Sequence, residues 1–97
     1  MTRSGMSKAE ARQVAVRRLA ELRMESYESL RDRWLDDPDC EEIAATGGTV
    51  YQVEIEAFWD GHKAPNGNLR VMVSAGSWLM PPTECFIIAP DGSFIGE

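Results

Sequence analysis

Residues 49–60 read T-V-Y-Q-V-E-I-E-A-F-W-D, and this stretch limits the fold more than any other. Tyr51, Val53, Ile55, Ala57 and Trp59 recur at period two, with Gln52, Glu54 and Glu56 between them. Successive side chains of a strand point to opposite faces, so the pattern predicts a strand with one dry face and one wet face. The dry face needs a second layer to cover it. The chain before residue 36 supplies helical patterns for that layer.

Ser7-Lys8-Ala9-Glu10 has the form of a capping box. The Ser7 hydroxyl is placed to accept from the Glu10 amide, and the Glu10 carboxylate to reach back to the Ser7 amide. A helix therefore starts at Lys8. Ala11, Ala15, Leu19 and Leu22 fall in one narrow stripe, with Val16 beside it and Arg17, Arg18, Glu21 and Glu25 opposite. The small alanines predict close approach to a sheet. The periodicity shifts near residues 24–26, where Ser26 can cap a second segment over residues 27–35 with Tyr27, Leu30, Trp34 and Leu35 apolar. Asp36-Asp37-Pro38-Asp39 ends it, because the residue before a proline avoids the helical region.

Residues 42–45 form a short first strand, and Thr46-Gly47-Gly48 turns the chain. A three-residue loop closed by a glycine bulge sets Ile43 opposite Tyr51, both inward. Residues 61–68 make a loop through Pro65, Asn66 and Gly67. A third strand spans residues 69–75, with Leu69, Val71, Val73 and Ala75 inward and Arg70 outward beside Glu56. An apolar connection, residues 76–83, leads to a fourth strand at residues 84–89. Pro90-Asp91-Gly92 turns the chain again, and Phe94 and Ile95 suit a short fifth strand. Segregated helices and strands predict an α+β fold: an N-terminal helix or bent helix pair packed on a four-stranded antiparallel β-meander. Residues 1–6 read as a flexible lead and residues 7–97 as a single domain.

The formal net charge of −6 is unevenly placed. Residues 1–35 hold eight Lys/Arg and five Asp/Glu, a balance of +3; residues 36–97 hold two and eleven, a balance of −9. This acidity argues against general nucleic-acid binding, which needs a phosphate-neutralising surface. The split suits helices docking on a sheet, or two faces offered to two partners. No apolar run approaches a membrane span and residues 1–7 hold no apolar signal region. A cytoplasmic protein with reduced, buried or half-buried Cys40 and Cys85 is expected.

The second half resembles a group of small bacterial proteins of about this length. The likeness rests on Y-Q-V-E-I-x-x-F-W-D at residues 51–60, R-V-x-V-S at 70–74 and F-I-x-A-P-D-G-S-F-x-G-E at 86–97. The group has no established activity, and its motifs hold no nucleophile or metal-ligand set. More loosely, the chain is similar to PepSY-type domains, which place a helix before a three-stranded sheet and are associated with peptidase inhibition. That likeness implies an α+β fold and carries over no catalytic residue.

The residues themselves offer few chemical sites. His62 is the single histidine; between Gly61 and Lys63 it reads as a solvated loop residue rather than a catalytic base. Cys40, His62 and Cys85 match no zinc spacing. Asp36, Asp37, Asp39, Glu41 and Glu42 form an acidic run broken by Pro38, Ile43 and Ala44, which fits no calcium loop; it reads as a helix stop and solvated linker, or as part of an acidic surface. Glu54 and Glu56 share a strand face, where paired carboxylates do acid–base work only if enclosed. No glycine-rich loop leads into a helix. Neither a metal nor a cofactor is expected.

The supposed wet face is the informative anomaly. Val50 and Phe58 flank the Glu54/Glu56 pair, and Met72 lies on the matching face of the third strand. The fourth strand is apolar on both sides, so either Cys85, Ile87 and Ala89 or Phe86 and Ile88 face outward. Trp78, Leu79 and Met80 precede it. Contiguous exposed apolar groups mark an interface, unless the 76–83 connection, the C-terminal tail or the second helix folds over them. The candidate interaction residues are Val50, Glu54, Glu56, Phe58, Arg70, Met72, Trp78, Met80 and Ile87.

Three functional readings follow. The first is a small non-enzymatic domain that self-associates or binds a protein partner through the outer sheet face and a strand edge. The second is an acidic inhibitor, immunity or anti-defence protein that presents carboxylates where phosphates would lie. The third is a small enzyme or ligand carrier with a pocket between helices and sheet, drawing on Tyr27, Trp34, Tyr51, Trp59 and His62.

Overall fold

The period-two stretch forms the longest strand, and the other elements are arranged on it. The computed structural model describes residues 6–61 and 67–97. His62, Pro65, Asn66 and residues 1–5 of the expected lead lie outside them. Two helices, α1 (Lys8–Leu22) and α2 (Tyr27–Trp34), precede four strands: β1 (Asp39–Ala44), β2 (Val50–Trp59), β3 (Leu69–Ala75) and β4 (Thr83–Ile88). The strands make an antiparallel meander in the order β1-β2-β3-β4. Both helices pack on one face of it, α1 over β2 to β4 and α2 over β2 and β3. The fold is the expected α+β arrangement, with two separate helices.

The cap of α1 is only half local. Ser7 Oγ accepts from the Glu10 amide at 3.3 Å, as the capping box requires. Glu10 does not reach back to the Ser7 amide. That amide donates to the Tyr51 hydroxyl at 2.9 Å, and the hydroxyl donates to Glu10 Oε1 at 2.7 Å. A buried phenol from β2 thus stands between the two halves of the box and ties the helix start to the sheet. Burial, reinforced by the Glu10 carboxylate, raises the Tyr51 pKa.

Helix α2 ends one residue earlier than expected. Asp36 adopts a left-handed backbone, φ 56°, a conformation Asp tolerates better than most residues. Leu35 bridges Ala57 in parallel before the chain reverses. Asp39 then pairs with Ile55, so β1 begins three residues before the expected Glu42. A long β2 offers an open edge there, and the acidic segment pairs with it rather than forming a linker. Ile43 faces Tyr51, as the three-residue loop predicts. The Gly48 amide donates to Ala45 O and the Ala45 amide to Thr49 O, each at 2.8 Å. Gly92 repeats the device beyond β4, donating to Ala89 O at 2.8 Å. Both glycines have positive φ, 95° and 90°, which a side chain would disfavour. The segment after Gly92 makes no full strand. Phe94 bridges Ile88, the Ile95 amide donates to Ile87 O at 2.9 Å, and the Phe94 ring turns inward onto Phe86 at 5.4 Å.

The core lies between helices and sheet. Ala11, Ala15, Leu19 and Leu22 of α1 and Tyr27, Leu30 and Trp34 of α2 form one cluster with Tyr51, Val53, Ile55 and Ala57 of β2 and the inward residues of β3 and β4. Val14, not Val16, completes the helical stripe, and Val16 stays exposed. The two valines flank the stripe at similar angles, so periodicity does not choose between them; α1 sits so that Val14 faces Ile43 across a groove. In β4, Phe86 and Ile88 point into the core, which turns Cys85 and Ile87 outward.

The charge split has a structural use. Arg12 pairs with Glu84, Arg18 with Glu41 at 2.9 Å, Arg33 with Asp39 at 3.2 Å, and Arg23 with Glu97. Each pair joins the helical half to the sheet half. Arg18, expected on the solvent side of α1, reaches down to β1 instead.

Candidate functional site

On the face away from the helices, strand register sets side chains in rows. Cys40 of β1 lies beside Glu54, then Ser74, then Thr83. The next row is Glu56, Met72 and Cys85, and the next Phe58, Arg70 and Ile87. Toward the other end Glu42 stands beside Gln52, and Ala44 beside Val50. Val50 and Phe58 keep 49% and 37% of their surface open to solvent. Met72, Arg70 and Ile87 are half-buried by their neighbours. The segments named above as covers for this face turn their aromatic residues to the other side: Tyr27 and Trp34 of α2 are core residues, as is Leu30, and Trp78 and Phe94 pack against the core.

Seven of the nine expected residues therefore share one surface: Val50, Glu54, Glu56, Phe58, Arg70, Met72 and Ile87. Trp78 does not join them. Its ring lies 6.4 Å from that of Tyr51, with the Lys8 ammonium 5.8 Å from it on one side. The ring also fills the space over Gly76, where a Cβ would come within 2.0 Å of it. Met80, 80% exposed, sits in the connection between β3 and β4, beyond the strand rows.

Arg70 takes a different partner from the one expected. It stands opposite Phe58, not Glu56, and its guanidinium donates to Asp60 Oδ1 at 2.8 and 3.2 Å. It also approaches Cys85 Sγ at 3.5 Å. The Asp60 hydrogen bond, working against burial, raises the Arg70 pKa above its ordinary value. Glu42, Glu54 and Glu56 make no ion pair among the described residues. Sequence reasoning left Cys40 off this face, set Glu42 in an acidic run read as a linker or as part of an acidic surface, and left out Asp60. The signal was present for the first two, since an inward Ile43 forces Glu42 and Cys40 outward.

The sheet edges are less open than the face. Antiparallel pairing points the main chain of Cys40, Glu42 and Ala44 away from β2. The Cys40 amide is taken by the Asp39 carboxylate at 2.9 Å, and Ala44 O by Arg17 at 3.0 Å. At β4 the Ile95 amide takes Ile87 O, and Pro81-Pro82 precede the strand. Such devices discourage edge-to-edge pairing.

Cys40 and Cys85 are both exposed and unbridged, not buried as expected. They sit on the two outermost strands, three inter-strand spacings apart and one row out of step, which is more than about 14 Å. That is too far for a disulfide, which needs Cα atoms within about 7 Å, or for a shared zinc ion. No group of metal-ligating side chains occurs among the described residues. Tyr27, Trp34 and Tyr51 fill the core instead of lining a common pocket, Trp59 packs partly buried against it, and His62 lies outside the described residues. An open concavity of about 480 Å³ lies between the helix break and the Pro90–Gly92 turn. A second, of about 340 Å³, lies between α1 and β1. Among the described residues no helix is long and apolar enough to cross a membrane. No protein-family model, curated protein or solved structure matches this chain.

Proposed function

We propose that the protein is a small, non-enzymatic interaction domain that engages a protein surface through the outer face of its sheet. One observation carries this reading: the face is uncovered while holding Met72, Phe58 and Ile87 in adjoining rows, with Val50 exposed at the other end of β2. Blunted edges leave a broad face, rather than strand addition, as the mode of recognition. Exposed apolar groups gathered on one face are a feature of interaction surfaces.

The test compares Phe58→Asp with Val16→Asp, which places the same charge on the exposed side of α1. Affinity-tagged protein is passed through lysate of its own source, and its oligomeric state is followed by light scattering. A partner, or a dimer, that survives Val16→Asp and is lost with Phe58→Asp is the expected result. Retention of every bound species by Phe58→Asp overturns the reading.

A further inference from the structure

We infer that the partner of this face is a basic protein surface bearing lysine or arginine side chains, rather than a second copy of the chain. The inference rests on the interaction reading above and adds its chemistry. On the helix side, carboxylates of the sheet half are matched: Asp39, Glu41, Glu84 and Glu97 each hold an arginine. Among the described residues, the outer face holds four carboxylates, Glu42, Glu54, Glu56 and Asp60, against one guanidinium. That guanidinium, Arg70, is already committed to Asp60. Among the described residues, the sheet-half carboxylates left without an arginine are Glu42, Glu54 and Glu56, which share the uncovered face, and Asp36, Asp37 and Asp91, which lie in connections outside the strands.

The spacing of acid and apolar groups fits long cationic side chains. Glu54 and Glu56 project side by side about 7 Å apart along β2. Met72 stands directly beside Glu56, and Phe58 one position further along the strand face. A lysine or arginine laid here sets its charged head between the two carboxylates and its aliphatic stem on Met72. Phe58, about 10 Å further along β2, offers apolar surface to a neighbouring side chain of the partner. A second copy fails on charge, because a two-fold contact brings the same patch from each subunit together. Unpaired carboxylates would then meet carboxylates, which opposes association.

The experiment uses a short amphipathic peptide of lysine and leucine and its glutamate–leucine counterpart. Each is titrated into the isotope-labelled whole chain and followed by amide shifts. The expected result is saturable shifts at Val50, Glu54, Phe58 and Met72 with the lysine peptide alone. Glu54→Lys with Glu56→Lys should weaken binding at least tenfold, while Glu28→Lys, on the exposed side of α2, should leave it unchanged. Equal weakening by Glu28→Lys means diffuse attraction and overturns the inference. Saturable binding of both peptides on the face, or a dimer through it in sedimentation equilibrium, also overturns it while leaving the interaction reading intact. Shifts confined to other surfaces with either peptide overturn the inference and count against the reading itself.

Discussion

The two faces of the sheet are made by the same four strands, and they solve opposite problems. On the helix side the alternating residues of β2 and β3, from Tyr51 to Ala57 and from Leu69 to Ala75, are buried, and Asp39, Glu41 and Glu84 at its margins are each met by an arginine from the helical half. On the other side, Val50, Phe58, Met72 and Ile87 stand among Glu54, Glu56 and Arg70 with no layer above them. Val50 and Phe58 are as apolar as Val53 and Ile55, yet remain substantially open. The difference shows that hydrophobicity alone does not place a residue in this core. The presence of a covering layer does, and the helices supply only one.

The largest expected effect tests this contrast directly. Ile55→Ala empties space at the centre of the covered face and should cost about 2–5 kcal/mol. Phe58→Ala removes a larger side chain three residues away and should cost under about 1 kcal/mol. Urea denaturation of both variants measures the difference. Similar losses would mean that the outer face is covered after all.

Next in size is Tyr51→Phe, which takes away the hydroxyl joining Ser7 and Glu10. Its cost should fall between those of the two substitutions above. It also carries a pH dependence. Burial first, and the Glu10 carboxylate second, raise the folded-state pKa of Tyr51 above the ordinary value of 10.0. The folded protein therefore holds the phenolic proton more tightly than the unfolded chain does. That contribution is complete below the ordinary tyrosine value and is lost as pH rises through the folded one. Thermal midpoints of the wild type should fall more steeply above pH 10 than those of Tyr51→Phe. Parallel alkaline slopes would show that this hydroxyl is not the linkage between helix and sheet.

A smaller effect is expected where charge, rather than apolar packing, binds the layers. Arg18 and Glu41 are each less than one-third exposed, and a double-mutant cycle on them should give a coupling of about 1 kcal/mol or less. The same cycle on Arg70 and Asp60, on the outer face, should give a similar or smaller value. Both couplings should shrink in high salt. If the Arg70–Asp60 coupling proved much the larger, the outer face would have a desolvated interior of its own.

Much of the covered face was legible in the sequence because its causes are local and periodic. The alternation from Tyr51 to Trp59, the stripe of Ala11, Ala15, Leu19 and Leu22, and the register set by Ile43 and Gly48 each follow from short-range geometry. What was illegible depended on tertiary choices among near-equal local options. Val14 and Val16 flank their stripe almost symmetrically. The second half of the capping box was displaced by a hydroxyl 44 residues from Ser7. The helix stopped at Trp34 because the chain met the open edge of β2 at Leu35 before Pro38 could end it. The outer face was legible in composition but not in pairing. The strand lengths put Arg70 across from Phe58, while the reading of Glu56 as its neighbour assumed a register offset by two residues.

The smallest effect concerns the C-terminal segment, which decides how far the contrast between the faces extends. Arg23 at the end of α1 holds the Glu97 carboxylate, and its guanidinium lies over the Phe94 ring at 4.1 Å. The tail is thereby fastened on the helix side, where Phe94 packs on Phe86. The Arg23 hydrogen bond lowers the Glu97 pKa below its ordinary 4.5. The stabilisation is present above that value and is lost as pH falls through the lower, folded one. At neutral pH Glu97→Gln should therefore melt slightly below the wild type, and the two should converge in strong acid. Amide shifts of Val50, Phe58 and Met72 should be unchanged by the substitution, because the freed segment never shielded them. Shifts at those three residues would show that the tail reaches the outer face, and the asymmetry of the sheet would then depend on a single exposed ion pair.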